Sequence, residues 1–174
     1  SLFNKSLEVI EAKELFDLKP DQIEVLIHPQ SMIHALVGFK DGALMAHIGP
    51  PDMRHAIGFA LNFPGRKHLP VERLDLTNIG QFDFQKPDFE KYPALRLAFR
   101  VLEIGRLSGA IYNAAKETAL DAFIARNIGF LDMANVVERV LERTFAASDN
   151  YVDPLKLENV LMMDQMGRAY ASEE

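Results

Sequence analysis

From residue 64 to residue 92 the hydrophobic periodicity of this chain disappears, and that gap dictates how the rest can be assembled. Prolines stand at 64, 70 and 87, and a mixed polar run passes through Asn78 and Gln85. An irregular connection of that length is uncommon inside one compact domain, so it reads as the boundary between two units. Leu69, Leu74, Leu76, Ile79, Phe82 and Phe84 predict that it wraps over a surface.

Before the gap, residues 4 to 17 read as an amphipathic helix carrying Leu7, Ile10, Glu11, Glu14 and Leu15, and Pro20 forbids continuation past Leu18. Ile23 to Ile27 reads as a short strand. Ile33 to Phe39 and Ala43 to Ile48 flank Lys40-Asp41-Gly42, a hairpin signal because Asp and Gly tolerate a tight turn. Asp52 is placed to cap a helix bearing Met53, Ala56, Ile57, Ala60 and Leu61, stopped by Pro64-Gly65.

After the gap the pattern is helical. Pro93 opens a helix with Leu95, Ala98, Val101 and Leu102, and Gly105 stops it. Ile111, Ala114, Ala115, Thr118, Ala119, Ala122 and Phe123 form a stripe dominated by small residues, which lets helices approach closely. Asp132 caps a third helix with Ala134, Val137, Val140, Leu141 and Thr144 inward, and Asp153-Pro154 and Asp164 start two shorter pieces. The fold class expected is α+β: a partial mixed sheet with flanking helices, then a small α-helical bundle. The division expected is 3–63, a connecting segment 64–92, and 93–174.

Composition narrows the function. The chain has 48% hydrophobic residues, enough for a buried core, and a net charge of −6 from 19 basic and 25 acidic residues. No basic block interleaves with aromatics, which argues against nucleic acid. No apolar run approaches the ~18–20 residues that span a bilayer, which argues against a membrane. Without cysteine there are no disulfides or thiolate metal sites, as suits a reducing compartment.

Two groups of residues could carry chemistry. Asn4, Lys5 and Glu8 stand at a helix start, where an amide, an ammonium and a carboxylate can meet anions and hard cations. Taken alone, Asn4 is an ordinary N-cap and Glu8 a solvated carboxylate no different from Glu11 or Glu14. The second group is Leu26-Ile27-His28-Pro29-Gln30-Ser31-Met32-Ile33-His34, an apolar run ending at His-Pro. A histidine after a strand is more often structural than a ligand, and neither His28 nor His34 has the spacing of a zinc site. His28, before a proline, shapes the strand end.

Those strings, with Gly49-x-Pro51-Asp52-Met53-Arg54, Phe84-x-x-Pro87-Asp88-x-x-x-Tyr92-Pro93 and Asn113-Ala114-Ala115-x-Glu117, resemble the 1-deoxy-D-xylulose 5-phosphate reductoisomerase family. The resemblance runs from about residue 3 to the C-terminal helix. It implies an NADPH- and Mg²⁺- or Mn²⁺-dependent enzyme making 2-C-methyl-D-erythritol 4-phosphate, the committed step of non-mevalonate isoprenoid synthesis. It implies Glu8 as metal ligand and, with His34, a catalytic residue. Asn4, Lys5, Glu8, Ser31, His34 and Pro51 become substrate-binding, and Met53 packs against the cofactor. The family's Gly-rich nucleotide-binding domain, its Asp-x-Glu metal pair and its lid loop lie outside this sequence, so the expectation is a C-terminal portion, inactive alone. Residues 3–63 would be the second half of the catalytic domain, and Ser1-Leu2 do not follow the family pattern. A phosphorylated sugar as substrate, a homodimer, and a cytoplasmic bacterial setting, with a plastid as the other option, complete the implication.

Two departures stand out: Ser6 where the family usually has Gly, adding a hydroxyl near the site, and Lys116 where it usually has Asn, unsettling a local polar network. Stripped of the resemblance, the chain reads instead as a helical interaction or dimerisation module without catalysis. A metal-dependent hydrolase built on Glu8 and the histidines is a third reading.

Overall fold

A computed structural model describes residues 2–146 and 156–174. Its helices are α1 (Phe3–Phe16), α2 (Arg54–Asn62), α3 (Leu76–Ile79), α4 (Pro93–Ile104), α5 (Ser108–Ile124), α6 (Asp132–Ala146) and α7 (Leu157–Glu173). The strands β1 (Ile33–Gly38) and β2 (Leu44–Ile48) pair antiparallel. The chain is therefore α+β as expected. Among the described residues, however, the sheet is a two-stranded antiparallel hairpin and not a mixed sheet.

The chain divides into two compact units, one of residues up to Glu24 with those from Asp88 onward, the other of Val25–Pro87. This departs from the 3–63, 64–92 and 93–174 division, because α1 packs against α4, far along the chain. Phe3, Val9 and Ile10 are the buried side of α1, and the Phe3 ring lies 6.2 Å from that of Tyr112 on α5. The stretch 64–87 belongs with the hairpin. Its Leu69 covers α2 at Gly58, where a β-carbon would lie 2.6 Å from a Leu69 methyl.

In the helical unit the core falls largely where the spacing predicts it, although Thr118, Ala122 and Phe123 of the expected stripe are only half-buried. Pro93 occupies the first turn of α4, and Gly105 ends it at φ +66°, its N–H donating to the Val101 carbonyl at 2.8 Å. Leu95, Ala98, Val101, Leu102, Ile111, Ala114, Ala115, Ala119, Val137, Val140 and Leu141 are all buried. Tyr112 joins them, and its hydroxyl donates to the Ala94 carbonyl at 3.1 Å. Burial raises its pKa well above the usual phenol value, with the Ser6 hydroxyl opposing weakly. Because the folded state disfavours the phenolate, this residue costs stability as pH rises through the ordinary tyrosine range near ~10. Tyr112→Phe should lower stability by about 1 kcal/mol at neutral pH, read by urea unfolding. The same variant should lose stability less steeply under alkaline conditions.

Two local expectations fail for identifiable reasons. Ile23 to Ile27 is not a strand: Ile27 makes one isolated antiparallel bridge to Gln85, with N–H···O distances of 2.8 and 2.9 Å. Asp164 does not start a helix but lies inside α7, where its carboxylate accepts from Arg168 one turn on at 2.8 Å. The expected start at Asp153-Pro154 lies outside the described residues.

The second unit has almost no core of its own. Of Val25–Pro87 only Val25 and Gly49 are buried, while Val37, Leu44 and Met45 on the hairpin are 54%, 71% and 64% exposed. A two-stranded hairpin is marginal unless other strands or helices cover it.

Candidate functional site

The first cluster is built by α1. Leu2, in a left-handed conformation, is the N-cap, so Asn4 does not cap the helix as its type suggested. It is the second residue of the helix, and its side chain crosses a turn to donate from Nδ2 to Glu8 Oε1 at 2.9 Å. The Lys5 ammonium closes on the other oxygen, Oε2. Glu8 lies four residues after Asn4 and three after Lys5, which puts both partners within its reach on one side of the helix. That face is open, with the Lys5 and Glu8 side chains 41% and 45% exposed. Asn4 keeps an amide hydrogen and its oxygen for a ligand, and Lys5 keeps two N–H donors. An amide, a cation and a carboxylate at a helix N-terminus suit phosphate and hydroxyl oxygens and a hard cation.

The second cluster belongs to the other unit. After Ile27 the chain turns at Pro29-Gln30, closed by Ser31 N–H donating to the His28 carbonyl at 3.0 Å, and Ser31 takes φ +53°. β1 then begins, and its register to β2 slips at once: Ile33 pairs with Ile48, but Ala35 pairs with His47. His34 is the extra residue of that bulge, a device that re-aims a side chain. Its Nε2 lies 3.1 Å from the Gly49 carbonyl and 3.2 Å from that of Pro50. Carbonyls only accept, so Nε2 donates, and Nδ1 is the ring nitrogen left for a ligand. Such a nitrogen can orient a hydroxyl.

Beyond β2 the chain reaches Pro51, Asp52, Met53 and Arg54. Met53 is the N-cap of α2 and makes no side-chain cap; Asp52 stands one residue earlier and accepts from the Arg54 N–H at 2.9 Å. The Arg54 guanidinium also clasps the Asp52 carboxylate and, with its N–H, lowers that carboxyl's pKa to about 2. Asp52 thus contributes to stability above the ordinary carboxylate range, and the contribution fades as pH falls toward about 2. An NMR titration of the Asp52 carboxyl carbon should find its midpoint near that value, and Arg54→Ala should raise it. Met53 is 71% exposed. Its thioether offers packing surface to a planar ring and no chemistry of its own.

A family model described as the DXP reductoisomerase C-terminal domain matches residues 48–170. The chain is 60% identical over 169 residues to 1-deoxy-D-xylulose 5-phosphate reductoisomerase of Ruegeria pomeroyi, covering 97% of this chain and 42% of that one. It is 59% identical over 173 residues to that of Cereibacter sphaeroides, covering 99% and 44%. The chain belongs to the 1-deoxy-D-xylulose 5-phosphate reductoisomerase family. Solved structures agree. The Zymomonas mobilis reductoisomerase in complex with NADPH matches with a TM-score of 0.89 at 42% identity, over 99% of this chain and 44% of that one. A DOX-P reductoisomerase in complex with NADPH, fosmidomycin and magnesium matches with a TM-score of 0.91 at 40% identity, over 99% and 43%. The chain spans less than half the length of these relatives.

Within the reductoisomerase family, the two departures become legible in the structure. Ser6 does not add a hydroxyl to the Asn4-Lys5-Glu8 face. It is fully buried on the opposite side of α1, its hydroxyl donating to the Leu2 carbonyl at 2.9 Å. Lys116 does not dissolve the polar network beside it. Glu117 pairs with Arg168 of α7 at 2.6 Å, and that guanidinium lowers the Glu117 pKa. The residues present suit part of a magnesium shell. Glu8 offers one carboxylate, whereas the ion takes about six oxygens. Among the described residues no group of three or more His, Cys, Asp or Glu is placed to hold a metal. Gln30 and Asp83 escaped the sequence reading as polar partners; Gln30 lay within the matched string, but Asp83 carried no motif.

Proposed function

We propose that this chain is the C-terminal part of a 1-deoxy-D-xylulose 5-phosphate reductoisomerase and supplies part of its metal site and substrate contacts. The observation that carries this is the open Asn4-Lys5-Glu8 face on α1 in a chain of that family. Lys5 and Asn4 bind oxygens of the phosphorylated sugar, Lys5 as a point charge and Asn4 through its amide. Glu8 is the metal ligand. Ser31 offers a hydroxyl to the substrate, and His34, held through Nε2, orients a substrate hydroxyl with Nδ1. Pro51 is a rigid wall beside the substrate, and Met53 packs at the nicotinamide. The groups the reaction needs in addition are NADPH, the hydride donor, and Mg²⁺ or Mn²⁺, which stabilises oxyanionic charge on the sugar.

The homodimer is part of the same reading. The hairpin's exposed Val37 and Met45, cross-strand partners on one face, support it, since such a face invites pairing with further strands. So is a cytoplasmic setting, as in a bacterial enzyme; no helix among the described residues is long and apolar enough to cross a membrane.

One experiment tests the proposal. The 174-residue chain, given 1-deoxy-D-xylulose 5-phosphate, NADPH and Mg²⁺, should show no substrate-dependent loss of NADPH absorbance. Joined to the N-terminal remainder that the relatives carry, it should turn over. Turnover by the chain alone, or none by the joined protein, would overturn the proposal.

A further inference from the structure

We infer that Gln30 and His28 are positioning residues, forming with Asp83 a polar clamp that holds the Pro29-Gln30 turn in the shape that presents Ser31 and His34. The inference rests on the reading of Ser31 and His34 as substrate contacts.

The grip is specific in register. Gln30 uses both ends of its amide on one residue, donating from Nε2 to Asp83 Oδ2 at 2.5 Å and accepting the Asp83 N–H on Oε1 at 3.3 Å. His28 holds the same residue from another side, its Nδ1 donating to the Asp83 carbonyl at 2.8 Å. Its ring stacks on Phe84 at 4.9 Å and meets Phe82 edge-on at 5.8 Å. Next to them lies the Ile27–Gln85 bridge. With Nδ1 committed to a carbonyl, Nε2 is buried and has no hydrogen-bond partner.

The need for such a clamp follows from two features. Ser31 has a β-carbon yet sits at φ +53°, a conformation that persists only where its surroundings dictate it. The unit around it fully buries only Val25 and Gly49, so hydrophobic packing alone gives it little support. The ties to Asp83 are the interactions at hand on one side of the turn. On the other side Gly49 N–H donates to the Met32 carbonyl at 2.9 Å, and His34 is held by the Gly49 and Pro50 carbonyls. Gln30 touches Asp83 and His28 touches Asp83, Phe82 and Phe84, so each acts on the substrate only through Ser31 and His34.

An exchange of roles tests this. Gln30→Glu sets two carboxylates against each other; adding Asp83→Asn restores a donor facing an acceptor, now in the reverse sense. In the isotope-labelled 174-residue chain, Gln30→Glu should move the Ser31 amide and His34 ring resonances, and the double variant should return them toward the parent positions. In the full-length protein the single variant should raise KM for the sugar phosphate roughly tenfold, with KM for NADPH unchanged, and the double variant should recover most of that loss. Resonances unmoved by Gln30→Glu, or a double variant that folds but recovers neither spectrum nor KM, overturn the clamp. If the unsubstituted full-length protein shows no turnover, the reductoisomerase reading fails, and the spectra of the 174-residue chain still decide the clamp.

Discussion

Glu8→Gln in the full-length protein should lower kcat/KM by on the order of 10²–10³, a loss of the size seen when a group stabilising transition-state charge is removed. The same substitution should leave the unfolding midpoint almost where it was. Both statements come from the same geometry. The Glu8 carboxylate is held by Asn4 and Lys5 on an open helix face, and exposed ion pairs of this kind contribute a few tenths of a kcal/mol. Glutamine keeps the size and an acceptor oxygen but removes the charge a hard cation selects. If activity and stability fell together, Glu8 would be a structural residue and its assignment as a ligand would be lost.

A large effect of the opposite kind is expected at Gly167. There α7 crosses α5 so closely that a β-carbon would lie 3.0 Å from the Ala114 methyl, 3.2 Å from the Ile111 carbonyl oxygen and 3.3 Å from the Ile111 α-carbon. Two of those three obstacles are backbone and cannot rotate away. Gly167→Val should therefore force the helices apart and cost about 3 kcal/mol. Gly167→Ala needs a shift of only a few tenths of an ångström and gains up to ~1 kcal/mol of helix propensity, so it should come out near neutral. Urea unfolding of the pair separates the two, and a valine variant as stable as the parent would show that the crossing is not tight. Because Gly167 is far in character from any ligand group, its loss should appear in stability before activity.

The helical unit was legible in the sequence because its signals are local. Pro93 and Gly105 bracket α4, and the small-residue stripe on α5 marked the face that Gly167 of α7 approaches. What could not be read was partnership between distant segments. The apolar side of α1 shows where it is hydrophobic, not that α4, some 80 residues on, would cover it. Ile23 to Ile27 has strand composition, but a strand is made by its partner, and here the partner is the single residue Gln85. The bulge at His34 is invisible because the apolar pattern of β1 continues across it. Asn4 carries the residue type of a cap, yet the chain places Leu2 at that position and sends the Asn4 amide to Glu8. The site residues stood out through their match to a family pattern, since spacing alone made Glu8 the equal of Glu11 and Glu14.

The most direct measurement is a Mn²⁺ titration followed by electron paramagnetic resonance, on the 174-residue chain and on the full-length protein. One carboxylate cannot complete a hard-cation shell. The chain alone should therefore leave Mn²⁺ free, while the full-length protein should bind one ion and lose it with Glu8→Gln. Stoichiometric binding by the chain alone, or binding in the full-length protein that survives Glu8→Gln, would contradict the assignment of Glu8 as one ligand of a shell completed elsewhere.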